Sequence, residues 1–144
     1  MKLLIKHGRL VDPVGGIGGI MDILIENGRV SVIGNGVNDP EAEIVDASGM
    51  VVSAGLVDMH VHFREPGYEY KETIETGCAA AARGGITAVA CMPNTKPVVD
   101  NADVVSYVHK KAESEGLTRV LQVGAVTKGQ QGEELADIKG MVQA

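Results

Sequence analysis

Met50-Val51-Val52-Ser53-Ala54-Gly55-Leu56-Val57 runs straight into Asp58-Met59-His60-Val61-His62, and this passage decides how the rest of the chain is read. A short apolar run entered from a turn, here Ala47-Ser48-Gly49, has the pattern of a strand. Side chains alternate between the two faces of a strand, so residues two apart point the same way. His60 and His62 therefore share a face and can reach one metal ion from a single strand, with Asp58 on that face one pleat deeper. Spacing alone leaves a second reading open, two histidines on a surface or satisfied in a core. Phe63-Arg64-Glu65-Pro66-Gly67, directly after the pair, bears on that choice.

Downstream, strand and helix signals alternate. Leu56–His62 reads as a strand, and Glu72–Ala82 as a helix stopped by Gly84-Gly85. A second strand, Ile86–Cys91, ends at Met92-Pro93-Asn94. Asn101 or its neighbours can cap a helix carrying Val104, Val105, Val108 and Ala112 and closed by Gly116. Arg119–Ala125 is the third strand, and after the polar stretch Thr127–Gly132 a last helix is expected from about Glu133. Repeated βα units with apolar strands imply a parallel sheet covered by helices, either doubly wound or closed into a barrel. A (β/α)₈ barrel needs about 250 residues, and the sequence stops at Ala144 inside helical composition with no capping signal. The expectation is the front part of a larger enzyme.

Upstream of residue 55 the signals are all β. Leu3–Lys6 and Arg9–Val11 are short strand candidates, followed by Pro13 and the loop Gly15–Gly19. Asp22–Glu26, Asn27-Gly28 and Arg29–Ile33 form a hairpin pattern, since Asn-Gly suits a two-residue type I′ turn. Glu43–Asp46 is a further strand candidate. The glycine-rich loop is not a phosphate cradle, because no Gly-Lys-Ser/Thr ending and no helix follow it. The change of rhythm divides the chain into residues 1–54 and 55–144.

Composition excludes several classes. A net charge of −6 with dispersed charges argues against a nucleic-acid partner, which needs clustered Lys and Arg. No apolar stretch approaches the roughly 20 residues of a membrane span, and the three-residue apolar run at the start is too short for a signal peptide. Cys78 and Cys91 sit within apolar patterns and are expected as buried thiols in a cytoplasmic protein. His7 and His109 are expected to be exposed and without partners; Lys96, Lys110 and Lys111 are read as solvated surface.

Four pieces then carry a resemblance: Gly55-Leu56-Val57-Asp58-Met59-His60-Val61-His62-Phe63-Arg64-Glu65-Pro66-Gly67, Ala80-Ala81-Ala82-Arg83-Gly84-Gly85-Ile86-Thr87, Met92-Pro93-Asn94-Thr95 and Gly124-Ala125-Val126-Thr127-Lys128-Gly129. In this order and spacing they resemble the bacterial, longer form of the dihydroorotases, over essentially the whole chain. His-x-His alone indicates only the wider amidohydrolase superfamily. Phe-Arg-Glu-Pro-Gly narrows it to dihydroorotases and allantoinase-like relatives, and Met-Pro-Asn-Thr favours dihydroorotase.

The resemblance implies an α/β fold: an N-terminal β-sandwich-like segment (1–54, part of a composite β-sandwich), then the first three βα units of an incomplete (β/α)₈ TIM-type barrel (55–144). It implies zinc, one or two ions per complete site, and reversible cyclisation of N-carbamoyl-L-aspartate to dihydroorotate in pyrimidine biosynthesis. His60 and His62 would be metal ligands, while Arg64 and Asn94 would hold the substrate carboxylate. The base, the bridging carboxylate and the second pair of histidines would lie on later strands. No catalytic residue is therefore expected in this chain, Asp137 takes none of those roles, and the chain alone is expected to be inactive. A homodimer and an assembly with aspartate transcarbamoylase are within what the resemblance implies. Two alternatives stay open: a hydantoinase- or allantoinase-type cyclic amidohydrolase, and a catalytically silent module that binds a partner. Arg64 could instead pair with Glu65 or Glu69, and Asn94 could cap the turn after Pro93.

Overall fold

A computed structural model describes all residues, Met1–Ala144. The chain falls into two compact units, Met1–Ala54 and Gly55–Ala144.

The first unit is one five-stranded sheet built on β1 (Lys2–Asp12). This strand pairs antiparallel with β2 (Ile17–Glu26), which pairs antiparallel with β3 (Arg29–Gly34). The β2–β3 turn is Asn27-Gly28, with φ of 52° and 76°; positive φ at both positions is the type I′ geometry expected of Asn-Gly. On its other edge β1 is long enough to take two parallel partners in succession, β4 (Glu43–Asp46) along Leu3–Lys6 and β5 (Val51–Ser53) along Arg9–Val11. The two short strands read at the N-terminus are thus one strand interrupted by a bulge. At the bulge His7 takes φ 62°, and a Cβ on Gly8 would come within 2.5 Å of Val52. The buried Asp22 fixes the bulge by accepting the His7 N–H at 2.9 Å and the Val37 N–H at 3.1 Å. His7 is exposed as expected, but its Nδ1 lies 3.1 Å from Asp46. The lost strand pairing at the bulge turns that ring toward β4.

In the second unit, β6 (Leu56–Val61), β7 (Ile86–Cys91) and β8 (Arg119–Gln122) form a parallel sheet in sequence order. The crossovers are α1 (Ile74–Arg83) and α2 (Ala102–Glu115). Thr73 caps α1 in a reciprocal pairing with Thr76, and Asn101 caps α2 by accepting the N–H groups of Asp103 and Val104. Phe63, Ile74, Cys78, Val89, Cys91, Val108 and Val120 form the core between sheet and helices. A fully buried Ile or Val contributes about 2 kcal/mol by leaving water. Helix α1 lies close to the sheet because Gly77 faces the Phe63 ring, where a Cβ would stand 2.3 Å from a ring carbon. Both cysteines are buried free thiols; burial pushes each thiol above its ordinary pKa. No helix is long and apolar enough to cross a membrane.

This is an α/β arrangement: an N-terminal sheet, then βα units that form an unclosed, barrel-like sheet. Leu56, Val57 and Met59 are exposed on β6, an edge strand with one neighbour. The third strand stops at Gln122, short of Ala125. The last helix, α3, runs only from Ile138 to Gln143 and not from about Glu133. Glu134 and Leu135 are taken instead by pairing across the preceding loop, where the Lys128 N–H donates to the Glu134 carbonyl and Thr127 bridges Leu135.

Candidate active site

Parallel strands bring their C-terminal ends to one side, and the loops that leave those ends carry the candidate residues. Val61 packs against the helix-covered core and Phe63 lies within it. By alternation, His60 and His62 project from the opposite face. Their ring centroids are 5.1 Å apart and their Nε2 atoms 3.3 Å apart. The sequence spacing thus becomes two ring nitrogens converging on one point.

The remaining contacts orient them. Asp58 accepts the backbone N–H of His60 at 3.0 Å. The His62 Nδ1 lies 2.8 Å from the Oδ1 of Asn94. A carboxamide oxygen only accepts, so the Nδ1 of His62 carries the proton and its Nε2 presents a lone pair. Asn94 belongs to the segment after β7, and this contact joins two βα loops. The structure thus brings three of the four expected site residues, His60, His62 and Asn94, into one chain of contacts.

Arg64 is held differently. It is half-buried and its backbone takes φ 65°, a left-handed conformation that costs a non-glycine residue about 1 kcal/mol. Its neighbours hold it there. Phe63 is buried in the core, and Glu65 is only 4% exposed. The Glu65 carboxylate accepts the Ile74 N–H at the start of α1 (2.9 Å) and the Tyr107 hydroxyl from α2 (3.0 Å), with Lys111 Nζ at 3.6 Å. Pro66 offers its carbonyl to the Lys96 N–H at 2.9 Å. Gly67 sits so close to the Lys96 backbone that a Cβ would approach its carbonyl oxygen to 2.0 Å. Glu69 accepts the Gly67 N–H at 2.7 Å. Neither carboxylate that the sequence offered as a partner takes the Arg64 guanidinium. In Phe63–Gly67 every residue but the arginine is an anchor.

Glu65, Tyr107 and Lys111 are the residues that sequence reasoning missed, and Lys111 is an ion-pair partner where solvated surface was expected. The available signal was spacing: Tyr107 and Lys111 are four apart and share one face of α2. Glu65 holds the Tyr107 hydroxyl proton in place, and burial together with that carboxylate raises the phenol above its ordinary pKa.

The donor set fits a zinc ion in one respect. Imidazole binds zinc at about 2.0–2.1 Å, so two tetrahedral ligands lie about 3.3 Å apart, matching the 3.3 Å between the Nε2 atoms. The same distance is long for a nitrogen–nitrogen hydrogen bond. No group of three or more His, Cys, Asp or Glu side chains in the chain is placed to hold a metal. The two histidines by themselves fall short of the three protein donors that catalytic zinc usually takes.

Comparison with known proteins places this geometry. Solved structures of L-hydantoinase (dihydropyrimidinase) from Arthrobacter aurescens and of dihydropyrimidinase from Brevibacillus agri NCHU1002 resemble the chain with TM-scores of 0.78 and 0.73. They are 30% and 26% identical to it over 87% and 88% of its length, and each match takes in 28% of the solved chain. The class defined by fold and strand-end histidines is thus that of the cyclic amidohydrolases. A family profile described as "Dihydro-orotase-like" matches residues 49–144, and the chain belongs to that family. Curated dihydroorotases of Geobacter sulfurreducens and Aquifex aeolicus are 54% and 47% identical to it over 100% of the chain. The chain spans 34% of the length of these relatives.

Proposed function

We propose that this chain supplies the first metal ligands and the carboxylate-recognising loops of a zinc-dependent dihydroorotase, which interconverts N-carbamoyl-L-aspartate and dihydroorotate. The observation that carries the reading is the convergence of the His60 and His62 Nε2 atoms at a strand end, within a chain of this family. Zinc, when bound, polarises the amide carbonyl and yields hydroxide from water near neutral pH. His60 and His62 would hold it through Nε2. Arg64, fixed by its anchored neighbours and free of acidic partners, would form paired hydrogen bonds with the substrate carboxylate. The Nδ2 of Asn94, whose Oδ1 is occupied by His62, would donate to the same carboxylate. Together they would set the ring amide against the metal-facing side of the site.

The test is turnover by the native gene product that carries this chain, with zinc, on dihydroorotate, hydantoin and allantoin. The expected result is preference for dihydroorotate, with Arg64→Ala raising KM at least tenfold. Preference for hydantoin would favour the second reading, a hydantoinase, which the similarity to the Arthrobacter aurescens enzyme supports. The 144-residue chain by itself is expected to bind zinc weakly and to turn over none of the three.

A further inference from the structure

The bond between Asn94 and His62 has a direction that the chain's chemistry fixes. Neutral imidazole carries one proton, on Nδ1 or on Nε2, and only the unprotonated nitrogen can bind a metal. At His62 the Asn94 Oδ1, 2.8 Å from Nδ1, accepts and cannot donate. The proton is therefore held on Nδ1, and Nε2 is left bare. His60 has no such partner: its ring approaches the His62 Nε2 at 3.3 Å, and Asp58 engages only its backbone. The two histidines are thus unequal: His62 is preset for metal by a partner on its second ring nitrogen, and His60 has none.

We infer that Asn94 is a positioning residue for the metal ligand His62, selecting its Nδ1–H tautomer before any metal arrives. This rests on the proposed metal site but assigns Asn94 a role separate from holding substrate. One carboxamide then serves two functions through its two ends, Oδ1 toward the ligand histidine and Nδ2 toward the reactant. Substitution can part them. Asn94→Asp keeps an acceptor for Nδ1 and loses the donor; Asn94→Leu loses both.

Long-range proton–nitrogen NMR correlations of the ¹⁵N-labelled chain test this directly, at pH 8.5. The expected result is His62 in the Nδ1–H form in the unaltered chain and in Asn94→Asp. In Asn94→Leu the tautomer ratio should move about fivefold toward Nε2–H, the factor one ordinary hydrogen bond supplies. Zinc titration of the same samples should show affinity about tenfold weaker in Asn94→Leu and undiminished in Asn94→Asp. His62 as Nε2–H in the unaltered chain, or an unchanged ratio in Asn94→Leu, overturns the inference. The assay on dihydroorotate, hydantoin and allantoin judges the substrate separately: preference for hydantoin would sink the dihydroorotase reading and leave the tautomer result standing.

Discussion

Each unit holds one left-handed, non-glycine residue beside a buried carboxylate, and the two are put to opposite uses. In the first unit His7 (φ 62°) is fixed by Asp22, which is 5% exposed. In the second Arg64 (φ 65°) is fixed by its neighbour Glu65, which is 4% exposed. The His7 ring then lies 3.1 Å from Asp46, and the backbone bulge carries β1 from one partner strand to the next. The Arg64 guanidinium is given nothing acidic to hold. The same device makes a joint in one unit and presents an unsatisfied charge in the other. A strained backbone position thus marks a candidate site only when its side chain is left over.

The comparison breaks first at Glu65. Glu65→Ala strands the Ile74 N–H and the Tyr107 hydroxyl and leaves Lys111 to Glu115 alone, and should destabilise the second unit by about 3 kcal/mol. Tyrosine fluorescence during urea unfolding measures this cleanly, because Tyr68, Tyr70 and Tyr107 all lie in that unit. A loss under 1 kcal/mol would mean that Glu65 is no anchor.

Asp22→Ala should cost the first unit somewhat less, about 2 kcal/mol at pH 7, read from amide-exchange protection along β1 and β2. The His7 and Val37 N–H groups hold the Asp22 carboxyl below its ordinary pKa of 3.8. Its contribution is therefore complete above that value and is lost as the pH falls through the depressed one. In the variant, protection should fall off less steeply below pH 4. A slope identical to the parent's would show that Asp22 is not the acid-sensitive group.

The smallest effect sharpens the comparison most. Arg64→Gly relieves the left-handed strain and should leave stability unchanged or raise it by up to about 1 kcal/mol. His7→Gly gains the same relief but loses the Asp46 contact, an exposed pair of small worth. If Arg64→Gly proved markedly destabilising, the arginine would be part of the scaffold, and its role as the carboxylate-binding residue would fall.

Much of this was legible in the residues themselves. Asn27-Gly28 announced its turn, Asn101 and Gly116 the ends of α2, and the His60–His62 spacing the shared face. Local chemistry determines such features. What escaped depends on groups far apart in sequence. Glu65 meets Tyr107 and Lys111 from a helix some forty residues on, and Asn94 reaches back to His62 across two strands. The residues Glu133–Asp137 have helical composition, yet their backbone groups are claimed by Val126, Lys128 and Asp100. Tertiary pairing there overrides propensity.

One contact has a consequence for how specificity could change. Gly67 abuts the backbone of Lys96, and the Lys96 N–H is donated to Pro66, so the turns after β6 and β7 are cast as a single block. An insertion or a bulkier residue in either would have to be answered in the other. The stretch after β8 is joined to the same block by the Ala125 N–H to the Val99 carbonyl (2.7 Å), the Gly129 N–H to the Asp100 carboxylate (2.8 Å) and the Asp137 N–H to the Asp100 carbonyl (3.2 Å). For anyone redesigning the protein, the three turns are one jig, to be recut together.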